Sequence, residues 1–115
     1  MKDFMLVFLS KSYADLGLSP EQMQARMGKW GAWGAKMKGQ DILKGGHALH
    51  SEVRQISGPD HVVTDQPGSE IKELIGGYYI INVADLDAAT VVAQDYPDYD
   101  LGGTCEVREV MVFNR

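Results

Sequence analysis

The chain has 115 residues, of which 44% are hydrophobic and 23% charged, with a formal net charge of −5. That length suits one domain around one core, and that composition excludes a disordered or fibrous chain. The negative balance argues against a nucleic-acid surface, which needs clustered Lys and Arg, and no run approaches the roughly 20 apolar residues of a membrane span.

A single cysteine, Cys105, rules out an intrachain disulfide and suits a reducing, cytoplasmic setting. Cys105 sits in a strand-like run and reads as a small core residue, not a nucleophile.

Residues 4–9, FMLVFL, alternate with Phe4, Leu6 and Phe8 on one side and Met5, Val7 and Leu9 on the other. Both sides are apolar, so a strand covered on both faces is expected. The run is too short for the apolar centre of a signal peptide.

Ser19-Pro20-Glu21-Gln22 signals a helix start: Ser19 as cap, Pro20 in the first helical position, and Gln22 closing a capping box. The helix is expected to run to about Lys38, with Met23, Met27, Trp30, Gly34 and Met37 as its buried stripe and Trp33 at the stripe's edge. Gly28, Gly31 and Gly34 weaken a helix by up to ~1 kcal/mol each, which predicts tight packing on a neighbouring backbone.

Residues 41–49 read as a second strand interrupted by Gly45-Gly46. Residues 51–57 and 61–64 read as a hairpin turning at Gly58-Pro59-Asp60, placed at a sheet edge or as an excursion from the core. Residues 70–75 fit a helical turn slightly better than a strand. Residues 76–83, GGYYIINV, are a strand with Tyr79, Ile81 and Val83 on one face and Tyr78 and Ile80 on the other. Gly76-Gly77 mark a bulge or close approach. Asp85 caps a second helix whose buried face is Leu86, Ala89, Val92, Ala93 and Tyr96, ended by Pro97. Residues 98–103 form a loop, in which the acids Asp98 and Asp100, with Asp95 before them, read as solvated. Residues 104–113 make the last strand.

The order β-α-β-(hairpin)-β-α-β predicts a ferredoxin-like α+β sandwich with both helices on one face. Two helices cover one face only, and the other would expose a large apolar patch. A homodimer with sheets packed face to face, of the dimeric α/β-barrel type, is therefore expected, with a cavity between the sheets.

Several residues could do chemistry. His47 follows Gly45-Gly46, and an imidazole is a natural proton acceptor near neutral pH. Asp65 could orient it, giving a catalytic pair for proton transfer. The bland alternative makes His47 a partly exposed strand residue and Asp65 a turn residue before Pro67. His47 and His50, three apart in a strand, point to opposite faces, and no metal-ligand spacing occurs. No metal and no cofactor are expected, and the glycines form no nucleotide fingerprint. Lys72 is a candidate anchor for an anionic substrate group, with Glu70 beside it, though such charges more often solvate a turn. Trp33 is the tryptophan better placed to line a cavity, and one of Tyr78 and Tyr79 should face the dimer interior and find a hydroxyl partner there.

The segments MKxFMLxF, LSPEQMQxxMxxWxAW, VVTDxPxxExKExxGGYYIIxV, ADLDAA and GGTxEVRxVM together resemble the YCII-related proteins, in particular the branch named for a DGPF sequence. The resemblance implies a ferredoxin-like fold dimerising through its sheet, in bacterial proteins mostly without an assigned activity, some encoded beside extracytoplasmic-function sigma factors. Some relatives carry a His–Asp pair proposed as an active site, with the histidine near the first helix. This chain has no histidine there, so that role does not transfer. Asp65, Pro67, Glu70, Lys72 and Glu73 match the branch motif, whereas Gln66 replaces its usual Gly and Gly68 its usual Phe.

The function expected from the sequence is thus a small-molecule enzyme moving a proton in a cavity of the homodimer. The alternatives are a non-catalytic small-molecule-binding or regulatory module, and an accessory partner of a transcription regulator.

Overall fold

The computed structural model describes residues 1–65 and 74–113. Its elements are β1 (Lys2–Ser10), α1 (Pro20–Gly39), β2 (Leu43–Ala48), β3 (Gln55–Ser57), β4 (Val62–Thr64), β5 (Leu74–Val83), α2 (Leu86–Ala93), a short 3-10 turn (Tyr99–Leu101) and β6 (Thr104–Glu109). Four strands form one antiparallel sheet in the order β2-β5-β1-β6, and β3 and β4 form a separate two-stranded ribbon. This is the α+β arrangement expected, compatible with a ferredoxin-like fold, with the hairpin as an excursion.

Local chemistry explains the boundaries. Ser19 Oγ accepts from the Gln22 amide at 3.1 Å and Gln22 Oε1 accepts from the Ser19 amide at 2.8 Å, so the capping box is complete. Asp85 accepts from the Ala88 amide at 2.9 Å and starts α2. The β1–β5 register shifts between Phe8 and Leu9, where Gly76 is passed over, so the glycine pair does mark a bulge.

The core lies between the sheet and the two helices. Phe4, Leu6, Phe8, Ile81 and Val83 from the sheet meet Trp33 and Met37 of α1, with Ala89, Ala93 and Tyr96 from α2 and just beyond it. On the opposite face Met5, Val7, Leu9, Tyr78 and Ile80 stay partly exposed.

Four sequence expectations change. Met27 is 68% exposed and Trp33 only 4%, so α1 buries Trp33 and Met37 and not the Met23–Met27 line. The cause is that α1 stands away from β2, leaving a hollow that Met27 overhangs. For the same reason Gly28, Gly31 and Gly34 are not tightly packed: a Cβ added at each would meet no atom within 4 Å. Leu74 and Ile75 begin a strand, because β1 is long enough for Ser10 and Leu9 to pair with them. Strand β6 stops at Glu109, and Met111, Val112 and Phe113 run on exposed.

Candidate functional site

A cavity of about 480 Å³ opens at one end of the sheet, on its helix-covered side. Its walls come from the end of β1 with the loop after it (Phe8, Ser10, Tyr13), from Trp30 of α1, and from Tyr79, Tyr96 and Asp98. The stretch around His47 and His50, together with Ile75, forms the rim on the β2–β5 side.

The aromatic wall is built on Phe8. Its ring stacks on Tyr96 at 5.2 Å and meets Trp30, Tyr79 and Trp33 edge-on at 5.0, 5.3 and 5.7 Å. Offset and edge-to-face pairs suit the ring quadrupoles, so the wall is fixed. Gly46 is required there: a Cβ at this position would collide with the backbone and ring of Tyr78 and Tyr79.

The polar end of the cavity is Asp98. Its side chain is 5% exposed, in the loop that follows Pro97. Asp98 Oδ2 accepts from the Tyr13 hydroxyl at 2.7 Å and from Trp30 Nε1 at 3.4 Å, while Trp30 Nε1 also donates to the Tyr13 oxygen at 3.0 Å. Asp98 Oδ1 is buried with no hydrogen-bond donor. The Asp98 carbonyl accepts from the amides of Leu101 and Gly103, each at 3.0 Å. A side chain at Gly103 would press on Tyr96 and on that carbonyl, so glycine is needed to hold the loop this close.

Arg26 of α1 ties the loop down from outside. Its guanidinium makes two hydrogen bonds of 2.6 Å to Asp100 and one of 3.0 Å to the Pro97 carbonyl. It approaches Asp98 Oδ1 only to 3.6 Å. A bidentate Arg–carboxylate pair is short and directional, so Asp100 holds most of this cation and Asp98 little.

The titration behaviour follows from these contacts. Burial, reinforced by donation to Asp98, pushes the Tyr13 hydroxyl up to about 12, so it is a donor at neutral pH. The Arg26 hydrogen bonds hold the Asp100 carboxyl down at about 2. Burial raises the Tyr79 and Tyr96 hydroxyls as well. Burial also pushes the Cys105 thiol up to about 11, which leaves it protonated and poorly nucleophilic, the core role expected of it.

Of the residues singled out in the sequence, His47 and Tyr78 come together: the ring Nδ1 and the hydroxyl share a hydrogen bond of 2.8 Å. They are directly opposite on β2 and β5 and lie on the open face of the sheet. His47 therefore touches the rim of the cavity while its ring is committed to the other side. Asp65 pairs with Arg54 at 3.2 Å, both well exposed, at the end of the hairpin ribbon. Tyr79 lines the cavity. Trp33 is in the core, and the tryptophan in the cavity wall is Trp30. Glu70 and Lys72, with Gln66 and Gly68 of the motif, lie outside the described residues.

The acids after α2 differ most from expectation. Asp98 is buried, Asp100 is clamped by Arg26, and Asp95 pairs with Lys36 at 2.8 Å. Among the described residues, no group of three or more His, Cys, Asp or Glu side chains is placed to hold a metal ion. No helix among them is long and apolar enough to cross a membrane.

The model of the YCII-related domain matches residues 5–114. The chain belongs to the YCII-related family. The match spans both helices and all four strands of the sheet except the first three residues of β1, so the cavity and Asp98 lie within the family domain. No curated protein matches the chain significantly.

Proposed function

We propose that this YCII-related chain is a small-molecule enzyme in which Asp98 accepts a proton from a ligand held in the helix-side cavity. One observation carries this: a buried carboxylate on the cavity wall has one oxygen fixed by two donors and the other without a hydrogen bond, with the Arg26 guanidinium no nearer than 3.6 Å. A carboxylate oxygen in a low-dielectric site without a donor is costly, and a bound ligand presenting an acidic hydrogen relieves that cost. Tyr13 and Trp30 hold Oδ2, whereas Oδ1 is closed to solvent in the free chain and lies 3.6 Å from Arg26 Nη1, so a shift of the Asp98 side chain on ligand binding brings it to the proton. With a carbonyl compound the C–H bond next to the carbonyl breaks. Its electron pair moves toward the carbonyl oxygen as an enolate, and the proton forms an O–H bond on Oδ1.

The test is proton NMR in deuterium oxide on a panel of small carbonyl compounds. Wild type should wash deuterium into the activated C–H of at least one of them, and Asp98→Asn should lose at least about a hundredfold of that rate, the lower range for a general base. Exchange unaffected by Asp98→Asn would sink the proposal. Binding of the same compound to both forms without exchange in either would make the chain a non-catalytic binding module.

The partly exposed open face, with Met5, Val7, Leu9, Tyr78 and Ile80 at its centre, supports a homodimer through that face. A monomer in sedimentation at micromolar concentration would refute it. The partial motif around Asp65 supports a place in the DGPF-type branch, and the single cysteine a cytoplasmic setting.

A further inference from the structure

A second hollow, of about 700 Å³, runs between α1 and the edge strand β2. Its sides are Gly31, Gly34 and Ala35 of α1 and Leu43, Gly45 and Gly46 of β2. Met27, Trp30 and Tyr79 line both this hollow and the cavity that holds Asp98. The two spaces therefore share one wall. Met27 is its exposed and unbranched member, the kind of side chain that swings aside at low cost.

The far end of the groove carries Lys38 and Lys44. Lys44 Nζ donates to the Asp41 carbonyl at 3.3 Å and lies 3.5 Å from its highly exposed carboxylate. Lys36, on the same helix, is turned away to Asp95. Side chains at Gly31, Gly34 or Gly45 would enter open space, so no close backbone contact accounts for those glycines. From Trp30 to Lys38 the helical rise gives the groove a length of about 12 Å.

We infer that the groove is the second half of the same ligand site. It takes the apolar chain of an amphipathic carboxylate whose acid group rests between Lys38 and Lys44 and whose other end reaches Asp98. The inference rests on the proposed role of Asp98 for the identity of that other end. The groove itself is tested by binding, without turnover.

The probes are butanoate, octanoate and 1-octanol, titrated into the full chain and followed by tryptophan fluorescence. Octanoate should bind at least about tenfold more tightly than butanoate, since each buried methylene contributes up to about fourfold. Gly34→Leu fills the groove and should weaken octanoate by at least about tenfold. Leucine is the better helix former, so an unchanged melting temperature and circular dichroism spectrum will show that the fold survives. Lys38→Gln with Lys44→Gln should weaken octanoate about fivefold, in the range of exposed ion pairs, and leave 1-octanol unchanged.

Equal affinity for butanoate and octanoate overturns the inference, as does octanoate binding indifferent to Gly34→Leu. The two proposals fail separately. Octanoate binding sensitive to Gly34→Leu in a protein without hydrogen exchange removes the base and keeps the groove. Exchange dependent on Asp98 in a protein indifferent to octanoate length keeps the base and removes the groove.

Discussion

The two faces of the sheet are made from the same strands by alternation, yet they hold different chemistry. On the helix-covered face Phe4, Leu6 and Ile81 are fully buried, and the aromatic wall around Phe8 leads to Asp98. On the open face Met5, Val7 and Ile80 are partly exposed, and the polar pairs there are His47–Tyr78, Asp3–Asn82 and Glu106–Arg108. Both faces read as apolar in sequence, so the pattern alone cannot say which one carries a site. The difference comes from outside the sheet. Only the covered face receives the loop after α2, and that loop brings a nearly fully buried acid to the cavity wall.

The largest contrast should come from paired truncations. Leu6→Ala opens a cavity in the packed face and should cost about 3 kcal/mol in denaturant unfolding. Val7→Ala, one residue along on the open face, should cost under about 1 kcal/mol in the monomer and act mainly on association. Equal losses would erase the distinction between the faces.

Arg26→Ala comes next. It frees the loop and removes the charged hydrogen bond to the Pro97 carbonyl, and should cost about 2 kcal/mol by thermal or chemical unfolding. The Asp100 half of this clamp has a pH signature. Its carboxyl is held at about 2 against an ordinary 3.8. A depressed folded value means the support is complete above roughly pH 4 and is lost as pH falls through about 2. Asp100→Asn should therefore be less stable than wild type at neutral pH and converge with it in strong acid.

Tyr13→Phe should cost about 1.5 kcal/mol, the range for a hydrogen bond to a charged group. Its hydroxyl, raised from 10.0 to about 12, lends stability fully below about pH 10 and loses it as pH rises through about 12. The phenylalanine variant should lack that alkaline loss. Ser19→Ala should cost about 1 kcal/mol through the capping box, without touching either face.

Much of the fold was legible because it rests on local signals. The Ser19 box, the Asp85 cap, the Gly76-Gly77 bulge and the Gly58-Pro59-Asp60 turn all act within a few residues. The packing of α1 was not legible, since Met23 and Met27 continue a helical stripe on paper and only the distance between α1 and β2 decides that Trp33 is buried instead. The site was less legible still. Asp98 sits in a run of acids that reads as solvent-facing. The residues that give it meaning, Tyr13 and Arg26, are 85 and 72 positions away in the chain. The available signal was Tyr96-Pro97-Asp98-Tyr99, an acid set among aromatic residues behind a rigid proline. His47 was expected to pair with Asp65, yet its ring meets Tyr78 across the ladder, a contact set by register, while Asp65 meets Arg54.

The most direct measurement of the central claim is a high-resolution crystal structure of the chain with a carbonyl compound that it deuterates. Ligand density is expected in the helix-side cavity, within hydrogen-bond reach of Asp98 Oδ1. Density on the open face against His47 and Tyr78, with only water beside Asp98, would contradict it.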